Sequence, residues 1–298
     1  MATPLDDAAD ERADAQEGPT VFLVFFAAHN MYFNMRFQEL EALVSLLDGV
    51  NSREELYVDT PPTALSASPF AFIKLPGGEA TACRICERAV MVKAIFEVWT
   101  SGSNFKEAVT RALDRGPAAR AAFRKFLAPP RRFKIQVTAF GRTPSNDDKK
   151  EIIETLRPLF DGDEICDLKD PDTILWALEE HEHKTDAKTH LGPRNSVPQR
   201  AFIARQVAGG RSVDKKLKSG EKAYFQRYDL SDRAILGPTT LENELAFIMA
   251  NCARVRPGHV ALEPFCGTGG LLVALSHFGA HVFGGEIDIR VVKGWRVA

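Results

Sequence analysis

The segment LEPFCGTGG, residues 262–270, brings an acid, an aromatic residue and closely spaced glycines together in one short stretch. A strand-like run precedes it and an apolar, helix-like run follows it. Because glycine has no Cβ, Gly267 and Gly269 would let a ligand approach the backbone closely. Two acids, Glu286 and Asp288, follow the next strand-like run, about 20 residues past the glycines, where a carboxylate can accept hydrogen bonds from ribose hydroxyls. We therefore predict a ligand site at this turn, with Glu286 as the first candidate for a ribose contact and Asp288 as the second.

Two common glycine-rich fingerprints do not fit this segment. The dinucleotide pattern G-x-G-x-x-G fails because Leu272 stands where the third glycine should be, and the G-x-x-x-x-G-K-[ST] pattern of phosphate-binding loops does not occur here. The remaining pattern, acid-Pro-aromatic-x-Gly-x-Gly, resembles motif I of the class I methyltransferases that use S-adenosylmethionine. That resemblance implies a cofactor site for S-adenosylmethionine, in which Glu263 would face the ammonium or sulfonium charge. The implied cofactor residues are Glu263, Pro264, Phe265, Gly267, Thr268, Gly269, Glu286 and Asp288.

Longer stretches extend the resemblance to most of residues 20–298. The sequence from Tyr228 through the glycine motif is similar to the start of the catalytic domain of the eukaryotic tRNA guanosine-10 N2-methyltransferases. Upstream, FKIQVTAFG and DLKDPDTILWAL resemble parts of a THUMP domain, an RNA-binding module, and AVMVKAIFEVW resembles the N-terminal domain of the same family. The resemblance implies methyl transfer from S-adenosylmethionine to the exocyclic amine of a guanine in tRNA. It also implies a heterodimer with a small zinc-binding activator subunit.

The catalytic motif of that family, D/N-P-P-Y/F, does not occur in the sequence. Pro61-Pro62 and Pro129-Pro130 follow neither Asp nor Asn, and both precede the glycine motif. A class I methyltransferase domain needs about 180 residues, within the usual range of domain sizes, and fewer than 100 follow Gly210. We therefore expect an incomplete catalytic domain without catalytic residues and no turnover by this chain alone. Two alternatives stay open: an RNA-binding protein without turnover, and a DNA adenine-N6 methyltransferase, which the THUMP-like region disfavours.

The order of elements predicts an α+β ferredoxin-like domain and a THUMP domain, followed by the first β-α-β part of an α/β Rossmann-like methyltransferase domain. Gly49 follows a helix-like stripe as its C-terminal stop, and Asn104 with Glu107 has the spacing of a helix-capping box. The predicted segments are an acidic disordered tail (1–19), the N-terminal domain (20–102), the THUMP domain (103–210) and the incomplete methyltransferase domain (211–298).

Two basic stretches are candidates for contact with tRNA phosphates, which would position the RNA without reading its sequence. A solvated surface is the alternative for each stretch. The first runs from Arg120 to Lys134 and contains no acid among its cations, whereas the second, from Arg205 to Arg233, has acids interspersed. The RNA-binding candidates are Arg205, Arg211, Lys215, Lys216, Lys218, Lys222, Arg131 and Arg132.

Composition limits the remaining classes of function. A net charge of -2 gives no global basic signature, and the five cysteines are too few for a disulfide framework, which favours a reducing compartment such as the cytoplasm. No apolar run approaches the length of a membrane span, so we expect no membrane contact. Cys83-x-x-Cys86 lacks a second ligand pair, and the run from His181 to His183 is interpreted as a solvated loop, so we predict no metal site.

Overall fold

The computed structural model describes residues 20–28, 31–59, 61–63, 66, 68–181, 197–210, 223–233, 236–237 and 240–294. The predicted acidic tail (1–19) lies outside these residues, as does His183 of the predicted solvated loop. The strands are β1 (Thr20–Phe26), β2 (Phe70–Leu75), β3 (Val92–Gly102), β4 (Arg132–Phe140), β5 (Ile165–Cys166), β6 (Thr173–His181), β7 (Pro198–Gly209), β8 (Val260–Glu263) and β9 (His281–Gly284). The α-helices are α1 (Arg36–Asp48), α2 (Arg53–Leu56), α3 (Gly78–Arg88), α4 (Phe105–Asp114), α5 (Gly116–Leu127), α6 (Asn146–Leu156), α7 (Asn243–Cys252), α8 (Gly270–His277) and α9 (Ile289–Val292). Short 3-10 helices cover Phe33–Met35, Arg157–Leu159, Tyr224–Tyr228 and Leu230–Asp232.

The strands form a seven-stranded sheet and a two-stranded sheet. The larger sheet has the order β2-β1-β3-β7-β6-β4-β5. In it β4 is parallel to β5 and β6, whereas β6 and β7 are antiparallel, with Leu178 opposite Phe202. The smaller sheet pairs β8 and β9 in parallel, with Glu263 opposite Gly284. Strands of the predicted N-terminal and THUMP segments therefore belong to one mixed sheet.

By its internal contacts the chain divides into two compact units. Unit 1 consists of Met1–Val24, Ser66–Ile73 and Ile95–Val207, and unit 2 consists of Phe25–Leu65, Lys74–Ala94 and Ala208–Ala298. The predicted boundaries after Gly102 and Gly210 do not coincide with these units, because β1, β2, β3 and β7 each contribute residues to both. The N-terminal segment and the segment after Gly210 thus both supply residues to unit 2.

The core of unit 1 lies under helices α4 and α5. Trp99 stacks on Phe123 with ring centroids 4.6 Å apart, and the apolar face of α4 is buried in the same cluster. Asn104 caps α4 as predicted, since its Oδ1 accepts a hydrogen bond from the Glu107 amide at 3.0 Å. The Glu107 carboxylate accepts from the Ser103 amide instead of the Asn104 amide, so the box is displaced by one residue. Helix α5 was not predicted, because residues 116–127 were interpreted from their charges alone.

In unit 2, helix α1 packs against α3 and α7. It ends at Gly49, whose φ of 75° gives the left-handed stop that the sequence predicts. Phe26 and Phe37 meet edge to face at 5.4 Å in the apolar layer beneath α1. Helix α7 leads through a short connection to β8, the strand that carries the glycine-rich turn at its end, and α8 packs against both α7 and β9.

Candidate functional site

The glycine-rich turn joins the end of β8 to helix α8 and has a fixed backbone conformation. Gly267 and Gly269 have φ values of 51° and 79°, a region that a side chain with a Cβ rarely adopts. The Gly269 amide donates to the Cys266 carbonyl at 2.7 Å, and the Cys266 amide donates to the Gly285 carbonyl at 2.8 Å. The glycines are therefore needed for the course of the chain, and the second of these bonds ties the turn to the segment after β9.

Glu286 lies directly against this turn. Its Oε2 accepts a hydrogen bond from the Gly267 amide at 2.9 Å, and its Oε1 accepts from the Asp288 amide at 2.8 Å. The parallel pairing of β8 with β9 explains the approach, because the carboxyl ends of parallel strands meet at the same edge of a sheet. An acid that stands about 20 residues from the glycines in the sequence is thus in contact with their backbone.

A cavity of about 380 Å³ opens beside the turn. Its lining includes four of the predicted cofactor residues and five residues that the motif did not single out. The residues that line it are Cys266, Gly267, Thr268, Gly269, Leu272, Gly284, Glu286, Val291 and Val292. Gly284 is the one sequence signal that could have extended the prediction, because a Cβ there would stand 2.7 Å from both Cys266 Sγ and Leu272 Cδ1. The glycine at the end of β9 therefore lets the two strand ends close around the cavity.

The carboxylate of Asp288, the second ribose candidate, is hydrogen-bonded within its own helix. It is the N-cap of α9, where its Oδ1 accepts from the Arg290 amide at 2.9 Å, and its Oδ2 forms an ion pair with the Arg290 guanidinium at 2.7 Å. Hydrogen bonds from Arg290 hold the pKa of the Asp288 carboxyl below its usual range. Glu286 lines the cavity and Asp288 does not, so the geometry favours Glu286 for a ribose contact.

Three further cofactor candidates, Glu263, Pro264 and Phe265, do not line the cavity. Phe265 is 88% exposed. Glu263 differs, because its Oε2 is buried and has no hydrogen-bond partner among the described residues. Burial raises the pKa of the Glu263 carboxyl above its ordinary value. A buried acceptor of this kind suits a cationic ligand group. The cavity beside the turn, with the Glu286 carboxylate in its lining, is compatible with the cofactor that the sequence implies.

The segment before α7 supports the turn from another side, and the sequence did not predict this contact. Thr240 Oγ1 lies 3.1 Å from Thr268 Oγ1 and also accepts a hydrogen bond from the Gly237 amide at 3.0 Å. The Arg233 guanidinium donates to the Thr268 carbonyl at 3.5 Å. Thr268 is therefore held through both its side chain and its backbone.

Arg205, Arg131 and Arg132, the candidates for RNA contact that the structure describes, do not form one exposed basic surface. Arg205 is 8% exposed, pairs with Glu97 at 2.8 Å and stacks over the Phe126 ring at 4.0 Å. The prediction that it is a surface phosphate contact is wrong, because its guanidinium is buried and paired. Arg131 is exposed, whereas Arg211, Lys215, Lys216, Lys218 and Lys222 lie outside the described residues.

The first basic stretch is neutralised by acids that lie far away in the sequence. Arg124 forms ion pairs with Asp161, Asp163 and Glu164 at 2.7–3.4 Å. Arg120 reaches Asp161 as well. Arg132 is surrounded in the same way by acids, and its partners at 3.1–3.5 Å are Asp167, Asp170 and Asp172. A basic patch was expected from Arg120 to Lys134, but these acids cancel much of its charge.

The cysteine and histidine motifs form no metal site within the part of the chain that the structure describes. The five cysteines form no disulfide, and Cys83 is exposed whereas Cys86 is buried on α3. The described part of the chain contains no group of three or more His, Cys, Asp or Glu side chains able to hold a metal ion. The interpretation of His181 as part of a solvated loop is wrong, because its ring is buried at the end of β6 beside Glu179 and Arg142, at 3.1 and 3.0 Å. No helix among the described residues is long and apolar enough to cross a membrane.

Comparison with known families decides where the chain belongs. Residues 20–212 match the model of the Tmrp11 THUMP N-terminal domain. The chain belongs to the Tmrp11 THUMP family. A second model, the RMKL-like methyltransferase domain, matches residues 231–292, which include α7, β8, the glycine-rich turn and Glu286. The predicted architecture, a THUMP-type N-terminal region followed by a methyltransferase segment, is thus confirmed.

Relatives of this Tmrp11 THUMP family member include curated enzymes. The chain is 31% identical to the tRNA (guanine(10)-N(2))-methyltransferase TRMT11 of Xenopus laevis over 92% of its own length and 51% of that protein. It is 30% identical to TRMT11 of Homo sapiens over 92% of its length and 52% of that protein. The chain therefore spans about half the length of these relatives. Among solved structures, TrmN from Thermus thermophilus is 17% identical, with 92% of this chain and 68% of that chain covered and a TM-score of 0.44.

Proposed function

We propose that the protein is a tRNA methyltransferase that uses S-adenosylmethionine to methylate the exocyclic amine of guanosine-10. The observation that carries the proposal is the contact of the Glu286 carboxylate with the Gly267 amide, beside a cavity, within a segment that matches a methyltransferase model. The printed names of the curated relatives support the choice of tRNA and of guanosine-10. The chain would supply the THUMP region and the first part of the cofactor site.

The residues at the turn would act on the cofactor by holding and orienting it. Gly267 and Gly269 leave their backbone open to it, Glu286 would accept hydrogen bonds from its ribose, and Glu263 would stabilise a positive charge of its methionine part. When bound, S-adenosylmethionine supplies the methyl group as an electrophile. The protein's contribution is therefore orientation and electrostatic stabilisation around the sulfonium.

Replacement of Glu286 by alanine tests the cofactor site. We expect Glu286→Ala to weaken binding of S-adenosylhomocysteine to this chain at least tenfold, as measured by isothermal titration calorimetry. A hydrogen bond to a charged group contributes about 1.5–3 kcal/mol, and a factor of ten in affinity corresponds to about 1.4 kcal/mol.

Arg290→Ala is the matched control. It frees Asp288 from its ion pair and leaves Glu286 in place, so we expect affinity within about twofold of the wild type. Unchanged affinity in Glu286→Ala would assign the ribose contact to another carboxylate, and stronger binding in Arg290→Ala would identify Asp288 as that group.

The proposal extends to the partners and the compartment. tRNA would contact the basic segment that contains Lys215, Lys216 and Lys218, with the phosphates as the main ligands. As the family resemblance implies, a small zinc-binding activator subunit would form a heterodimer with this protein. A cytoplasmic location would suit five cysteines that form no disulfide, since thiols persist in a reducing compartment.

A second candidate function is RNA binding without methyl transfer. It is favoured by one observation: the match to a THUMP model, which covers residues 20–212. In that case tRNA would bind, whereas S-adenosylhomocysteine would give no heat in the same titration. The THUMP match does not favour DNA as the substrate.

A further inference from the structure

A buried asparagine connects the three sequence segments that make up unit 2. Asn251 lies in the last turn of α7 and is 0% exposed. Its Oδ1 accepts a hydrogen bond from Arg88 Nε at 2.8 Å. Its Nδ2 donates to Glu39 Oε1 at 2.7 Å and to the Arg88 carbonyl at 3.1 Å. Oδ1 and Nδ2 are thus both used by partners that lie more than 150 residues away in the sequence, so the contact is specific in geometry as well as buried.

Glu39 and Arg88 are themselves fixed by the same part of the chain. The Glu39 carboxylate, fully buried on α1, accepts from the Val90 and Met91 amides at 2.8 and 2.7 Å. Arg88, at the end of α3, donates through Nη2 to the Val255 carbonyl at 2.9 Å. We call Glu39, Arg88 and Asn251 the Asn251 cluster. It joins α1, the end of α3 and the end of α7 through satisfied polar groups.

The Asn251 cluster lies near the start of β8, the strand that ends at the glycine-rich turn. Arg88 holds the Val255 carbonyl, and Val255 lies in the short connection between α7 and β8. The next link is a hydrogen bond from the Gly258 amide to the Gly279 carbonyl at 2.9 Å, which ties this connection to the segment between α8 and β9. The position of β8, and of the turn at its end, therefore depends on where α7 is held.

The other end of α7 is held by the N-terminal segment too. The Tyr32 hydroxyl donates to the carboxylate of Glu242, the N-cap residue of α7, at 2.7 Å. Two residues earlier, Thr240 contacts Thr268 in the glycine-rich turn. Both ends of the helix are thus fixed by residues before Ala94, and each end is linked to the turn.

We propose that Asn251 is a positioning residue for the cofactor site, acting with Glu39 and Arg88 through α7. The N-terminal parts of unit 2, Phe25–Leu65 and Lys74–Ala94, then hold the cofactor site in position, in addition to any support that they give to the RNA-binding region. This inference rests on the proposed function only for the identity of the ligand. The position of the turn can be measured without any ligand.

Hydrogen exchange on the 298-residue chain tests the ligand-independent part. In Asn251→Leu a side chain of similar size replaces the amide, and Arg88 Nε loses its acceptor. We expect the amides of Cys266 and Gly285, which are hydrogen-bonded at the turn, to exchange at least tenfold faster than in the wild type. The amide of Leu40, in the middle of α1, should keep its protection. Ile203→Val, a core substitution in unit 1, is the control that lowers stability without faster exchange at the turn.

Calorimetry with S-adenosylhomocysteine tests the functional part. We expect Asn251→Leu to weaken binding at least tenfold and Ile203→Val to bind as the wild type does. If Asn251→Leu unfolds unit 2, Arg88→Lys takes its place, since lysine keeps the charge and loses the second donor that reaches Val255. Faster exchange at Cys266 and Gly285 with Leu40 still protected supports the proposal. Equal loss of protection at all three, or no change at the turn, overturns it.

The two proposals fail in different ways. A wild-type chain that does not bind S-adenosylhomocysteine refutes the cofactor assignment, and the exchange rates at the turn still decide the role of Asn251. A wild type that binds, with Asn251 and Arg88 variants that bind equally well, refutes the positioning role and leaves the cofactor assignment intact.

Discussion

In unit 1, Arg205 and Arg124 are paired with carboxylates of the same unit, whereas at the glycine-rich turn of unit 2 a buried carboxylate oxygen lacks a protein partner among the described residues. Arg205 and Glu97 are within 2.8 Å, and Arg124 has three acids around it. Glu263 Oε2 is buried and accepts no hydrogen bond.

The difference separates charges that hold the fold from charges available to a ligand. A buried charge with its counter-ion in the same unit already has its desolvation offset, so a ligand gains little by competing for it. A buried oxygen without a partner raises the free energy of the apo protein, and a cationic ligand removes that cost on binding. The sign of a charge does not tell a structural charge from a ligand-binding one. The presence or absence of a counter-ion in the folded protein does.

Arg205→Ala should give the largest effect if Arg205 is structural. Removal of Arg205 takes the guanidinium away from the Glu97 carboxylate at a largely buried site, so we expect the free energy of unfolding to fall by about 3 kcal/mol. Urea denaturation measures it, and Arg131→Ala, at an exposed site, should change it by less than about 0.5 kcal/mol. Unchanged stability with weakened tRNA binding would make Arg205 a ligand contact and break the comparison.

Replacement of Lys215, Lys216 and Lys218 by glutamine should give the next largest effect. If these cations contact phosphates, the slope of log affinity for tRNA against log salt concentration should fall by about 2, because each contact contributes about 0.7–0.9 to the slope. Filter binding over a series of salt concentrations measures it. Arg124→Gln is the control, since Arg124 is already paired with acids and its loss should leave the slope unchanged. Equal slopes in all three proteins would place the RNA site elsewhere.

Glu263→Gln should have the smallest effect and the most specific one. Burial raises the pKa of Glu263, so its charged form destabilises the fold at neutral pH and that penalty is absent once the group is protonated. We expect Glu263→Gln to melt about 2 °C above the wild type at pH 7, with the difference vanishing as the pH falls toward about 4. The same variant should bind S-adenosylhomocysteine more weakly. A melting temperature below that of the wild type at pH 7 would mean that Glu263 has a stabilising partner.

Local patterns predicted the cap of α4, the stop at Gly49 and the glycine-rich turn of the candidate site. Each of these features depends on a few neighbouring residues. Gly267, Gly269 and Glu286 were found because a turn and an acid at the start of a parallel sheet have a regular spacing. Helix α5 was not predicted, because its arginines are equally typical of an exposed basic surface.

Long-range packing produced what the sequence could not predict. Leu272, Val291 and Val292 line the cavity only because the turn, β9 and α9 meet in space. The acids that neutralise Arg124 lie about 40 residues away, and the partners of Asn251 lie more than 150 residues away. Local periodicity in the sequence does not predict such pairs. It also does not predict that strands of two predicted domains belong to one sheet.

The order of strands in the larger sheet has a consequence for biosynthesis. Strand β7 is the last of the seven to be made, yet it lies inside the sheet between β3 and β6. During synthesis, one edge of β3 and one edge of β6 therefore remain unpaired until β7 has been made. From the end of β3 to the start of β7 a ribosome adds roughly a hundred residues, which takes roughly 5–20 s at typical rates. Open strand edges invite pairing with other chains, so this interval is when the nascent protein most needs a chaperone.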